Sequence, residues 1–432
     1  MKPRTRFAIN TLMADTAAVL VAGSLASLYV YGTALPWLSG SLLVSGQNAR
    51  TMVTLLVVGV VFGSWQSVRL VEPAVPHPLY VRAFTTAAIA LTTVVFGLFA
   101  VRPYYSQRWI TFALGGWFVL ALAHRALRRR GTWVENMVIV SDEKSLVEDL
   151  AESQNANVVD VYEPQGEPPA SALLQNTTLV VDLRAVLSDS MASFVSSSTL
   201  AGYEVRALSN VYEEHTGRVA LVHLAEGWEI SVPLERRAPY APFKRVLEGL
   251  LVVVTAPAWL LLAGLTWAAI KLDSPGPAIF RQERTGFDDR PFTMFKFRTM
   301  VLGADDDGPQ FTSPDDPRVT RVGRFLRMTR LDEIPQLINV LRGETALVGP
   351  RAEQVAFAQQ FERLIPFYRY RHLVRPGITG WAQVHSGYAD DVTDTIEKLT
   401  YDLYYVRHMS PWLDLTILGK TLATVAKRSG AQ

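Results

Sequence analysis

Four long apolar runs fill the first third of the chain, at 7–31, 51–70, 79–101 and 109–127, separated by short polar connections. Each is close to the roughly 20 residues that a helix needs to cross about 30 Å of hydrocarbon, so the pattern predicts four transmembrane helices. The first run also holds Asn10, Thr11, Asp15 and Thr16. That is too polar for a signal-peptide core, and no small-residue cleavage site follows cleanly, so the segment is expected to remain as a helix. From 131 to 239 the pattern changes. β-Branched apolar runs at 137–140, 158–161 and 178–181 alternate with helix-like stretches such as 143–153, which predicts a small α/β domain with a parallel sheet. Its first strand ends in VIVSDEKS, without the glycine-rich turn of a dinucleotide site, and the domain reads as a structural or regulatory module. The stretch 205–232 reads as short strands at its end.

A fifth apolar run, 249–270, is long enough to cross the membrane, but its flanks argue against crossing. Lys244 and Arg245 precede it, and Lys271, Arg281 and Arg284 follow it. Lys and Arg mark cytoplasmic ends, so both ends carry the same mark. Pro257 lies within the run, where it removes a helix hydrogen bond and clashes with the preceding turn. A helix that breaks at Ala256 and Pro257 and returns to the same face satisfies both observations, with Thr255 as a candidate to satisfy the freed backbone. The same rule places the N-terminus (Lys2, Arg4, Arg6), the middle connection (Arg69, Arg82) and everything after Arg125, Arg128, Arg129 and Arg130 in the cytoplasm. The other two connections carry only Arg50, Arg102 and Arg108.

Composition agrees with a membrane class: 49% of the 432 residues are hydrophobic, and the mean hydropathy is +0.15. The absence of cysteine excludes disulfides, thiolate nucleophiles, zinc fingers and iron–sulfur clusters. The seven histidines show no metal-ligand spacing, and a net charge of +2 gives no reason to expect a nucleic-acid partner.

The chemistry concentrates between Arg318 and Glu353, where Asp332 and Glu333 stand among Arg318, Arg321, Arg324, Arg327 and Arg330. Guanidiniums gathered on the approach to a carboxylate pair suit a phosphate-bearing substrate, which they bind in fork geometry. Pro335 and the run IPQLINVL place the pair in the first turn of a helix, where free amides favour phosphate. A carboxylate facing a phosphate calls for a divalent ion between them. Magnesium suits oxygen ligands, and it would let a carboxylate attack phosphorus. Lys296 and Arg298, two apart in FTMFKFRTM, would share one face of a strand. Ser274 to Pro277 form a tight turn. In RPGITGWAQV, Trp381 reads either as an aromatic surface for a nucleotide or the interface, or as a packed core residue. Asp305, Asp306 and Asp307 offer a DxD alternative, but their Gly and Pro neighbours favour a flexible acidic loop. Asp315 and Asp316 read as turn residues.

Together these motifs resemble the bacterial sugar transferase family, the monotopic polyprenyl-phosphate glycosyl-1-phosphate transferases. The resemblance spans 240–418, through KR at 244–245, KLDSPGP from Lys271, KFRTM from Lys296, LDEIPQLINVLRGE from Leu331, VGPR from Val348 and RPGITGWAQV from Arg375. The N-terminal helices and α/β module look like the large branch of that family. The resemblance implies three parts. They are a four-helix transmembrane bundle (1–130), a Rossmann-like cytoplasmic α/β module (131–239) and a mainly α catalytic domain (240–432) with a re-entrant helix at about 243–270 broken at Pro257.

It further implies Asp332 as nucleophile on a UDP-sugar, releasing UMP and passing the phosphosugar to undecaprenyl phosphate. Glu333 would assist, and both carboxylates would hold Mg2+. Lys296, Arg298, Arg327, Arg351 and Arg375 would contact phosphate and nucleotide. A homodimer in the bacterial inner membrane, a glucose or galactose donor, and the first step of exopolysaccharide, capsule or O-antigen synthesis are implied as well. This sequence departs from the usual pattern at Ala352, Glu248, Arg330 and His385. The competing readings are a non-catalytic membrane scaffold for polysaccharide assembly and a DxD-type glycosyltransferase using Asp305 and Asp307.

Overall fold

The computed structural model describes residues 3–32, 46–69, 79–101, 107–127, 134–169, 174, 176–226, 240–304, 316–386 and 392–426. The acidic run 305–307, Asp315, Lys2, Arg102 and 128–130 lie outside the described residues. The chain forms two compact units, Met1–Thr216 and Gly217–Gln432.

The first unit opens with α1 (Pro3–Tyr31), α2 (Gly46–Arg69), α3 (Leu79–Val101) and α4 (Gln107–Leu127). Buried positions recur at intervals of three and four, as in Val19, Ala22 and Ala26 of α1 and Ala113, Trp117 and Ala121 of α4, so each helix turns one stripe inward. Leu25, Phe96 and Val119 remain exposed on the outside. Two of these helices, at Ile9–Tyr31 and Gln107–Leu127, are long and apolar enough to cross a membrane. Among the described residues the apolar stretches of α2 and α3, Thr51–Gln66 and Thr85–Gly97, are shorter.

Asp15, read from sequence only as a polar interruption, is almost fully buried. It receives both Nη groups of Arg125 at 2.8 Å and the Ser64 hydroxyl at 2.7 Å. A charge at this depth is retained because its lone pairs are filled by a bidentate partner.

The α/β part of this unit has four parallel strands, β1 (Glu135–Val140), β2 (Ala156–Tyr162), β3 (Thr177–Val181) and β4 (Glu204–Ala207), in the order β2-β1-β3-β4. Three helices complete it: α5 (Lys144–Ala151), α6 (Asp189–Leu200) and α7 (Leu208–Thr216). β3 is buried along its whole length, as a parallel strand covered on both faces must be.

The expected short strands over 205–232 are corrected here. Only β4 is a strand, followed by α7 and a 3₁₀ turn at Leu221–Glu226, while 227–232 lie outside the described residues. Leu208, Val211, Tyr212 and His215 are all buried, a spacing of three and four that selects a helix. The chain from Gly217 belongs to the second unit. The Trp381 indole donates to Gly217 O at 2.9 Å, and Val219 N donates to Thr400 O at 3.1 Å.

The second unit begins with α8 (Tyr240–Val254) and α9 (Ala256–Asp273), bent by 63° at Thr255. Pro257 falls in the first turn of α9, where its missing N–H costs least. The Val252 carbonyl freed at the bend is satisfied locally: the Trp259 indole donates to Val252 O at 3.0 Å and the Thr255 hydroxyl at 3.4 Å. A turn at Ser274–Pro277 follows, and then an antiparallel hairpin, β5 (Ile279–Thr285) and β6 (Pro291–Phe297).

The helices and strands that follow are α10 (Arg321–Thr329), α11 (Gln336–Arg342), β7 (Ala346–Val348), α12 (Val355–Leu364), β8 (Gly377–Thr379), α13 (Val392–His408) and α14 (Pro411–Ala426), with a 3₁₀ turn at Leu331–Glu333 between α10 and α11. β7 and β8 form a short parallel pair. Ile270, Ala278, Phe297 and Leu326 pack into one core cluster, tying α9, the hairpin and α10 together.

Candidate active site

Asp332 and Glu333 occupy the 3₁₀ turn between α10 and α11 rather than the first turn of a helix. α10 is capped by Thr320, whose hydroxyl accepts from Gly323 N at 2.9 Å. Gly323 lets α10 lie against the segment that follows β6, since a Cβ there would stand 2.0 Å from Thr299 O. The helix stops at Arg330, which adopts the left-handed conformation (φ 58°, ψ 17°), a costly state for a non-glycine residue that sharply redirects the chain into the carboxylate pair.

Asn339, missed by sequence reading, fastens the other side. Fully buried in α11, it donates to Thr293 O at 2.8 Å and accepts from Phe295 N at 3.2 Å, locking the helix to β6. An asparagine within the apolar face of IPQLINVL was its only signal.

Three cations approach a single oxygen, Glu333 Oε1: Arg351 Nη1 at 3.3 Å, Arg330 Nη1 at 3.7 Å and Lys296 Nζ at 3.8 Å. Burial alone would raise the Glu333 carboxyl, but Arg351, Lys296 and Arg330 together outweigh it and hold the group below its ordinary range. Burial raises its neighbour Asp332, and the adjacent Glu333 charge adds to the shift. Asp332 Oδ1 is buried with no hydrogen-bond partner among the described residues. Burial, followed by the charge of Arg351, lowers Lys296 to about 8. A small recess beside the dyad is lined by Met294, Lys296, Gln336, Thr345, Arg351 and Ala352.

Arg351 is aimed by its backbone. Gly377 N donates to Pro350 O at 2.8 Å, Arg371 Nη2 donates to Arg351 O at 2.9 Å, and Arg284 Nη1 donates to Ala352 O at 3.1 Å. Arg371 is itself buried against Asp402 at 2.7 Å.

The other predicted contacts are placed differently. β6 ends at Phe297, and the side chains of Lys296 and Arg298 take different partners. The Arg298 guanidinium turns into the loop after α9, donating to Pro275 O at 2.6 Å and to Ser274 O at 2.9 Å. Arg327 donates to the Thr299 hydroxyl at 2.9 Å. Of the arginine run only Arg330 forms an ion pair with the dyad. Arg318 pairs with Asp316 at 2.6 Å, and Arg321 and Arg324 are exposed, because a spacing of three drifts around a helix. Arg375 lies at the far end of α11, its Nε donating to Gly343 O at 2.9 Å. Trp381 is fully buried, so it is a core residue and offers no surface to a ligand or the interface.

The model of the bacterial sugar transferase family matches residues 239–428, the part that holds this dyad, its cations and the bent helix pair. A UDP-N-acetylgalactosamine-undecaprenyl-phosphate N-acetylgalactosaminephosphotransferase of Aeromonas hydrophila is 42% identical over 270 residues, 62% of this chain and 63% of that protein. The exopolysaccharide production protein PSS of Rhizobium leguminosarum bv. phaseoli is 40% identical over 183 residues, 41% of this chain and 90% of that protein. The chain belongs to the bacterial sugar transferase family. A further relative in this family, a UDP-glucose:undecaprenyl-phosphate glucose-1-phosphate transferase of Escherichia coli (strain K12), is 45% identical over 181 residues, 41% of this chain and 38% of that protein. The match thus covers less than two thirds of the Aeromonas and E. coli proteins. As a bacterial sugar transferase, the chain carries in Gly217–Gln432 the unit in which every residue of the site described above stands.

Among the described residues no group of three or more His, Asp or Glu side chains could hold a metal by itself. The dyad nonetheless fits magnesium, which is bound by one or two carboxylates while substrate phosphates and water fill the remaining positions. Asp332 Oδ1, buried and without a hydrogen-bond partner among the described residues, is the oxygen whose lone pairs such an ion would fill.

Proposed function

We propose that the chain transfers a sugar 1-phosphate from a UDP-sugar to undecaprenyl phosphate, giving undecaprenyl-diphosphate-sugar and UMP. The observation that carries this reading is the convergence of Lys296, Arg330 and Arg351 on Glu333 Oε1 beside the unpartnered Asp332 Oδ1. Positive charge is held in place for a diphosphate before it arrives, so little reorganisation is needed as charge develops. An Asp332 oxygen attacks the sugar-proximal phosphorus, the bond to the bridging oxygen breaks, and UMP leaves with the electron pair. An oxygen of undecaprenyl phosphate then attacks the same phosphorus and releases the Asp332 carboxylate. Burial keeps Asp332 basic, which strengthens it as a nucleophile once ionised. Glu333, held ionised by its three cations, orients them toward the phosphate oxygens. Mg2+ held by Asp332 and Glu333 would supply positive charge between carboxylate and phosphate.

α8 and α9 are read as a re-entrant pair broken near Pro257, which places the dyad at the cytoplasmic face where lipid phosphate and soluble nucleotide meet. The same reading makes α1 to α4 a four-helix anchor in the inner membrane, the parallel sheet a Rossmann-like cytoplasmic module, and the protein a homodimer that starts exopolysaccharide, capsule or O-antigen units. Glucose or galactose is the donor expected from sequence. The name of the Aeromonas relative adds N-acetylgalactosamine, so donors with and without a 2-acetamido group belong in the test.

The test is to trap the enzyme-bound phosphosugar. Wild type incubated with magnesium and a UDP-sugar labelled in its sugar should retain label on the peptide bearing Asp332, and undecaprenyl phosphate should discharge it. Label retained by Asp332→Asn would remove Asp332 from the nucleophile's role.

A further inference from the structure

Arg375 and Arg245 share one peptide at the end of α11 remote from the dyad. Arg375 Nε donates to Gly343 O at 2.9 Å, and its guanidinium lies 5.8 Å from the centre of the Phe287 ring. Arg245, in the second turn of α8, packs against the same residue: a Cβ added to Gly343 would stand 2.7 Å from Arg245 Nη2. Gly343 closes α11 in the left-handed conformation at φ 73°, so glycine both permits the turn and leaves room for the guanidinium.

Neither of these two arginines forms an ion pair among the described residues. Glu248 is the carboxylate whose charge acts on Arg375, but its Oε1 is engaged by Lys244 Nζ at 2.7 Å and by Val348 N at 3.3 Å. Burial, and then the like charge of Arg245, pulls the Arg375 guanidinium below its ordinary proton affinity. Like charges held together around one peptide, with their Nη edges unbonded, are relieved by an anion. Guanidinium forks match the spacing of phosphate oxygens.

We propose that Arg245 and Arg375 form a second phosphate-binding site, separate from the dyad, and that the phosphate it takes is carried by a lipid. The seven residues of α11 put about 10 Å between the two sites. The lipid source follows from Arg245, which stands where α8 begins its apolar run. Phe243, Val246, Leu247 and Leu250 around it are exposed, and headgroup phosphates lie at that level if α8 enters the bilayer. The site therefore rests on the re-entrant reading of α8 and α9, but on no assumption about Asp332 chemistry.

The experiment measures thermal stabilisation of the full chain in neutral detergent on titration with dihexanoyl phosphatidic acid or with inorganic phosphate. Wild type, Asp332→Asn, Arg245→Gln and the double variant Arg245→Gln/Arg375→Gln are compared. The lipid is expected to raise the melting temperature of wild type and Asp332→Asn alike. Arg245→Gln should weaken the apparent affinity roughly tenfold, the scale of a lost charge-assisted bond pair, and the double variant should abolish the shift. Equal stabilisation by inorganic phosphate, lost in the same variants, would uphold the site and overturn the lipid as its source. Stabilisation by neither probe, or a shift retained in Arg245→Gln, would overturn the site itself. Because Arg245 is exposed, its single variant folds even if the double variant does not. Failure of Asp332→Asn in UMP release alongside an intact lipid shift would separate the two claims.

Discussion

Arg351 Nη1 and Glu333 Oε1 meet at 3.3 Å, the shortest of three cationic approaches to that oxygen. The pair joins the loop after β7 to the turn after α10, so the carboxylates are aimed by elements from two separate parts of the chain. Arg371 and Arg284 fix the backbone carbonyls at Arg351 and Ala352, which makes Arg351 a preorganised rather than a searching side chain.

Arg351→Ala should therefore cost about 100-fold in kcat/KM for the UDP-sugar, the scale of a lost preorganised donor. Arg351→Lys should recover only part of this, since an ammonium lacks the fork. Steady-state UMP release is the check.

The Lys296 ammonium, lowered to about 8 by burial and then by Arg351, gives a pH dependence with a defined sign. It is charged below that value and neutral above it, so activity should fall as pH rises through about 8. In Lys296→Arg that limb should move out of the measurable range, because a guanidinium stays charged to above about 12. A limb unmoved in Lys296→Arg would assign the titration to another group.

Asp15→Asn leaves Arg125 buried without its counter-charge. The first unit should lose about 3–5 kcal/mol, read as a lower unfolding midpoint in detergent. Asp15→Asn/Arg125→Leu, which removes the stranded charge, should be more stable than Asp15→Asn alone.

The chain's lack of cysteine makes its topology directly measurable. A single cysteine near the C-terminus should react with an impermeant maleimide only in inside-out vesicles. Reaction in intact right-side-out cells would mean that α8 and α9 together cross the membrane.

Much of this organisation was legible because local rules and tertiary demands agreed. The apolar runs, the alternation that built the parallel sheet, the break at Pro257 and the tight turn at Ser274 each rest on a few neighbouring residues. The Thr255 hydroxyl takes the role expected of it at the Val252 carbonyl. Side chains that stand away from the dyad share a cause: their direction depends on partners distant in sequence. Arg298 looked like a companion of Lys296, but Ser274 and Pro275 take its guanidinium. The regular arginines before Leu331 looked clustered, but the helix rotates them apart. Arg375 looked like a substrate contact, and Gly343 draws it to the far end of α11. Asn339 and Arg371, which hold the site together from within, carry no chemistry of their own that a motif would flag.

The central claim is that Asp332 drives lipid-dependent release of UMP. The most direct measurement is UMP production by purified wild type and Asp332→Asn with magnesium and undecaprenyl phosphate, across UDP-glucose, UDP-galactose, UDP-N-acetylglucosamine and UDP-N-acetylgalactosamine. The account predicts release from one donor or a narrow subset, dependent on the lipid beyond one equivalent of enzyme and lost in Asp332→Asn. Lipid-dependent release that survives in Asp332→Asn would contradict it.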